Sequence, residues 1–250
     1  MNNLLVNVVN ETEKILLKKK TVVFLVVTAI IPVGTAILIS LFKDRIGLLG
    51  LRATDFPILI LGPFTGLFLP LFVFMWAADT FSGEAGDRTL KLVLTRPISR
   101  FKVFTSKLIA IGFTILLFLA VLLALSLTAG LVVGGAGSGW LAGFFQGVEA
   151  YGAAVFPMLA LGIVAAFIAQ FFHNSSGALT TSIFAYIAAK LLPLIIPQSA
   201  RLLLVSYTDW HMLWLGPVSA EKLLYSFLFI LSYIIIFFSA GFYLFDIKDL

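Results

Sequence analysis

The chain has 250 residues, 61% of them hydrophobic, a mean hydropathy of +1.10 and no cysteine. Soluble domains carry roughly 45–50% apolar residues, so a water-soluble fold is excluded, and the missing thiols exclude disulfides, thiolate chemistry and most zinc or iron–sulfur sites. A net charge of +5 would suggest nucleic acid in a soluble protein, but here the basic residues flank apolar runs, where anionic headgroups and membrane orientation account for them without a nucleic-acid partner.

In chain order, residues 1–20 read as an interfacial helix. Leu4, Leu5, Val8, Val9, Ile15 and Leu16 recur near helical spacing, with Asn, Glu and Lys between them, and Lys18, Lys19 and Lys20 mark a membrane edge. No small-residue cleavage site follows, so this is not a secretory signal. At about 20 residues per crossing, the rest accommodates about six spans. Span one is expected over Thr21–Phe42, bent at Pro32 and Gly34, and span two over Phe56–Ala78, where Pro57, Pro63 and Pro70 preclude a straight helix. Span three is expected over Leu108–Val133 and ends in a Gly-rich stretch. Span four follows over Tyr151–Phe172, with Pro157 near its outer end. The short turn HNSSG makes span five, Ala178–Ile196, its antiparallel neighbour. Residues 197–222 contain Tyr207, Trp210 and Trp214 and suit an outer re-entrant or interfacial segment, and span six is expected over Leu223–Phe245. The expected fold is thus all-α and integral to the membrane, with residues 1–250 forming a single transmembrane domain.

The one long polar stretch, Asp79–Lys107, lies between spans two and three and holds six of the seventeen Lys and Arg residues. With both termini on its side of the membrane, the basic residues of the flanks divide eleven against five, leaving Lys190 within a span. The positive-inside rule then places this stretch and both termini in the cytoplasm. Leu90, Val93 and Leu94 form one apolar stripe at i, i+3, i+4, with Arg88, Lys91 and Thr95 off it, so a short amphipathic helix is expected within this 79–107 region. Pro97 ends it, and Ser99 can cap the basic helix that enters span three. Asp79 falls at the negative end of span two, a position that calls for a partner or a longer helix.

The ordered set Glu84, Gly86, Thr89, Leu90, Leu94, Pro97, Ser99, Arg100 and Lys107 resembles the segment between the second and third spans of ABC transporter permeases of the type 2 exporter superfamily. That family usually has Gly directly before Thr-Leu, where this chain has Asp87-Arg88. The resemblance implies a permease subunit of an ATP-driven exporter with a cytoplasmic coupling helix. It implies an ABC ATPase dimer as partner, which would bind ATP and Mg, and a second permease chain, identical or similar, in the plasma or inner cell membrane. No G-x-x-x-x-G-K-[ST] loop occurs, so neither an ATPase activity nor a cofactor is expected in this chain itself. The residues implied to meet the ATPase are Glu84, Gly86, Asp87, Arg88, Thr89, Leu90, Val93, Leu94, Pro97 and Arg100.

Other residues carry weaker signals. Glu84 can contact a partner, brace the turn or lie in water, while Arg100 and Lys107 fit lipid headgroups. Lys190 would cost about 2.5–3.5 kcal/mol at a span centre, and a position nearer the outer end allows it to snorkel, with a role in a substrate path as the other reading. His173 and His211 are expected on opposite faces, which argues against a shared metal site. Other functions remain open: a stand-alone secondary transporter, which usually places acids within its spans, or a sensing or immunity component that moves nothing. An intramembrane serine protease using Ser138 would need Gly at Ala136. Nothing in the span composition selects a substrate.

Overall fold

The computed structural model describes residues 2–46, 53–86, 98–135 and 140–248, and these are all helices and short connections with no strand among them. Helix α1 covers Asn2–Leu16 and α2 covers Lys19–Ile46. An unbroken helical run, α3, covers Phe56–Gly86, α4 covers Arg100–Gly134, α5 covers Trp140–Ala169 and α6 covers Ser175–Ile195. Two 3-10 turns, Pro197–Leu202 and Leu204–Tyr207, lead to the short helix α7, His211–Leu215, and to α8, Ala220–Ile247. Six of these helices, all but α1 and α7, are long and apolar enough to cross a membrane.

The six do not share burial equally. In α3, α4 and α5 about half or more of the most apolar stretch is buried (56%, 50% and 61%), against 22%, 17% and 11% in α2, α6 and α8. The first three are therefore the core, and the others turn most of their apolar surface outward, as helices bordering lipid do. Small residues decide the centre: Ala150, Ala154, Ala160, Gly162, Ala166 and Ala169 of α5 are all buried, which lets the neighbouring backbones approach closely.

Several helix ends differ from the sequence expectation. Helix α5 begins at Trp140, eleven residues before the expected start, so Pro157 sits in mid-helix rather than near an end. Its missing N–H breaks only one backbone bond, and neighbouring helices support the rest. In α3 the three prolines produce no break. The backbone instead relaxes into a π-helical turn at Phe64–Phe68, directly after Pro63, and into a second at Asp79–Gly83. Such turns often mark functional positions.

Candidate coupling site

The expected boundary of span two at Ala78 is corrected, because the helix runs on through the second π-turn to Gly86. Asp79 is thus inside a helix, and it gains partners as well: Lys18 and Lys20 each approach its carboxylate at 3.4 Å. One turn earlier, the Trp76 indole N–H donates to the Thr21 hydroxyl at 3.2 Å. Together these contacts fasten the start of α2 to α3.

Glu84 lies on this helical extension and not in a solvated loop. Its Oε2 meets the Lys107 Nζ of α4 at 2.5 Å, and its Oε1 meets the Lys14 Nζ of α1 at 3.3 Å. Glu11 of α1 takes the same two cations, Lys107 at 2.9 Å and Lys14 at 2.8 Å. The four side chains therefore close a ring of alternating charge across α1, α3 and α4. Lys107 is 0% exposed, which corrects the expectation that it meets lipid headgroups, and Glu11 is 2% exposed. Burying charges is costly, and the arrangement is tolerable only because each carboxylate meets an ammonium on each of its oxygens. Burial pushes the Glu11 carboxyl up, but Lys107 and Lys14 outweigh it and hold the group below its ordinary value. Burial likewise pushes Lys14 down, and its bonds to Glu11 and Glu84 more than reverse that.

The ring also corrects the reading of α1. The helix does present Leu5 and Val9 outward, yet part of its polar side is enclosed: Asn10 and Glu13 are exposed, while Asn7, Glu11 and Thr12 are buried. They pack toward α4, where the Asn7 amide donates to the Ser106 hydroxyl at 2.5 Å. Sequence reasoning missed Glu11 and Asn7. Their i, i+4 spacing, continued by Lys14, is a polar stripe that could have identified them.

Other expected residues anchor the same end of the bundle. A Cβ on Gly86 would collide with the His173 carbonyl, so the α3 terminus lies against the turn between α5 and α6 as only glycine permits. The Ser82 hydroxyl donates to the Ala169 carbonyl at 2.6 Å, satisfying the C-terminal end of α5. Arg100 donates through its guanidinium to the backbone carbonyls of Asp246 and Lys248, at the end of α8, and the Lys248 ammonium donates to the Gln170 carbonyl at 2.8 Å. Ser99 occupies the N-cap position of α4 with extended backbone, but its side chain makes no capping bond. Asp87, Arg88, Thr89, Leu90, Val93, Leu94 and Pro97 lie outside the described residues. Their two attachment points, Gly86 on one side and Ile98–Arg100 on the other, are both tied into the bundle.

At the opposite end, Lys190 is exposed, with its ammonium 5.7 Å from the Tyr186 ring centroid. His211 is fully buried beside the Thr208 backbone. No group of three His, Cys, Asp or Glu residues that could hold a metal occurs among the described residues.

The family model for ABC-2 family transporter protein matches residues 8–189, from the first turns of α1 to near the end of α6. The chain belongs to the ABC-2 transporter family. This ABC-2 protein is accordingly a membrane-embedded permease subunit of an ABC transporter, the component that is not itself an ATPase. Membership implies an ABC ATPase as partner and a lipid bilayer as surroundings. A comparison with curated proteins found no match.

Proposed function

We propose that this permease is one membrane-spanning half of an exporter driven by a separate ATPase dimer, in which residues 87–97 dock on the ATPase and the charged ring passes their displacement into the bundle. The observation that carries this reading is the position of Glu84. It stands three residues before the docking segment and is bonded to Lys107 of α4 and Lys14 of α1. On the other side of the segment, Arg100 is bonded to the end of α8. A push on residues 87–97 is thus delivered to α1, α3, α4 and α8 together, as a rigid-body shift rather than a local bend.

The distribution of basic residues supports a cytoplasmic location for this segment and for both termini in the cell membrane. ATP and Mg would be held in the partner, and this chain takes no cofactor. Six spans supply half of a path, so the working unit is two permease chains, alike or similar, on one ATPase dimer.

Affinity purification of the chain from its native membrane tests the assignment, with a stoichiometric ABC ATPase expected. In the assembled complex, Glu84→Gln keeps the neutral hydrogen-bonding shape but removes the charge. It is expected to weaken the permease's effect on the ATPase rate by roughly fivefold without dissociating the subunits. An unchanged rate rejects the ring as the transmitting element, and absence of an ATPase rejects the function.

A further inference from the structure

Lys190 lies deeper than a lysine at a membrane edge. Its Nζ is 3.5 Å from the point that a Cβ on Gly66 would occupy and 5.7 Å from the Tyr186 ring centroid, and the Tyr186 hydroxyl donates to the Gly66 carbonyl at 2.7 Å. The ammonium is therefore level with the π-turn Phe64–Phe68 of α3. On that same helix Asp79, approached by Lys18 and Lys20, marks the other membrane edge, thirteen residues after Gly66. At 1.5 Å per residue the ammonium stands roughly 20 Å from that edge in a hydrocarbon core about 30 Å thick, so it is roughly 10 Å short of the outer one. It does not reach out to that edge as a snorkelling lysine would.

An opposite charge stands at the same level. The Asp209 carboxylate approaches the Thr65 hydroxyl at 3.5 Å, and Thr65 adjoins Gly66 in the π-turn. Asp209 belongs to the irregular backbone between the 3-10 turn Leu204–Tyr207 and α7. Lys190 and Asp209 are both exposed, and neither makes an ion pair among the described residues. Exposed single charges and irregular backbone at this depth are stable against water and not against lipid tails. The α3 surface beside them is open as well, because Leu67 is exposed and a Cβ on Gly62 would meet no atom within 4 Å. We propose that the face of α3 and α6 around Gly66 borders a water-filled vestibule in the outer half of the membrane, where Lys190 and Asp209 are fixed charges that meet the substrate. The substrate class is thereby a molecule with ionic or hydrogen-bonding groups, since a hydrocarbon would leave both charges without a partner. The word outer rests on the orientation given under the proposed function; the presence of water does not.

Membrane-impermeant methanethiosulfonate reagents test this on the full chain in its membrane, because the chain has no cysteine of its own. Leu67→Cys is expected to react from outside roughly tenfold or more faster than Ile235→Cys, since water must reach the thiol. Ile235 is a matched control: it is 57% exposed against 53% for Leu67, and it lies on α8 twelve residues before Ile247. In the Leu67→Cys chain, the rate with the anionic sulfonatoethyl reagent is divided by that with the cationic trimethylammonioethyl reagent. This ratio is expected to fall roughly fivefold with Lys190→Gln and to rise by a similar factor with Asp209→Asn, as each charge sets the local concentration of the reagents. Shifts in opposite directions cannot come from a shared loss of structure. Should Leu67→Cys fail to fold, Ile187→Cys, exposed three positions before Lys190, replaces it. Equal rates at the test and control positions overturn the proposal, as does a ratio that either charge variant leaves unmoved. The same contrast seen only with reagent on the cytoplasmic side supports the vestibule and contradicts the orientation in the proposed function, so the two fail separately.

Discussion

The Lys107 ammonium lies 2.9 Å from Glu11 and 2.5 Å from Glu84, fully enclosed where α1 packs against α4. Two acids separated by 73 positions in sequence share this one cation, so the ring holds α1 in place as much as it braces α3. If the ring is structural, its members should fail individually and recover in pairs.

Lys107→Met leaves two carboxylates without their buried partner. Removing one member of a buried pair costs about 3–5 kcal/mol, whereas replacing the pair with apolar side chains is often neutral. Thermal unfolding in detergent should therefore show a large loss for Lys107→Met. Much of it should return in Lys107→Met/Glu11→Leu, where Lys14 and Glu84 can still bond to each other. Equal losses in the single and double variants would show that the ring is not a coupled unit.

Gly86→Ala should destabilise the protein by about 1–3 kcal/mol, the usual penalty for overpacking, because the new methyl meets the His173 carbonyl. Gly34→Ala serves as the control, since a Cβ there finds no atom within 4 Å. That substitution should be neutral or stabilising, because alanine favours helix over glycine by about 1 kcal/mol. Melting temperatures of the two variants, measured together, check the contrast.

Stability should fall with acid in two stages. Burial pushes the His211 imidazole below its ordinary 6.5, only partly offset by Asp209 and the Thr208 backbone, so the folded chain resists a proton that the unfolded chain accepts. Its contribution is complete above pH 6.5 and is lost as the pH falls toward the folded value. Glu11, held below its ordinary 4.5, adds a second loss at lower pH. At the alkaline extreme the sign reverses: Lys14, held above 10.5, contributes stability that is lost as pH rises through its folded value. Melting curves from pH 8 to about pH 2 should show both declines in the unaltered chain, and His211→Phe should lack the first while retaining the second.

Arg100→Gln should release the end of α8, whose last carbonyls it engages. Hydrogen bonds from a charged donor contribute about 1.5–3 kcal/mol. Amide exchange over residues 244–248 should therefore rise by tenfold or more while the core of α4 and α5 stays protected. Unchanged exchange would place the anchor elsewhere.

The six crossings were legible because apolar runs of this length have one stable solution in a membrane, and α2, α6 and α8 end within a few residues of the expectation. The early start of α5 was not, because Gly143, Gly147 and Glu149 read locally as loop, while in the fold both glycines are buried. Glu84 and Arg100 could be singled out from their place in an ordered pattern, but their partners could not. Lys107 and Glu11 are separated by 96 positions, and Glu11 falls on the side of α1 that periodicity assigns to water. The missing step was energetic: a lysine at the threshold of a long apolar helix needs a counter-charge, and α1 is the nearby element with acids at helical spacing.

The central claim is that residues 87–97 face an ATPase from the cytoplasm. The absence of native cysteine makes this directly measurable, because Val93→Cys supplies the only thiol in the chain. Thiol-directed cross-linking in native membranes should join this cysteine to an ABC ATPase, and a membrane-impermeant thiol reagent applied from outside the cell should leave it unlabelled. Labelling from outside, with no cross-link to an ATPase, would contradict the account.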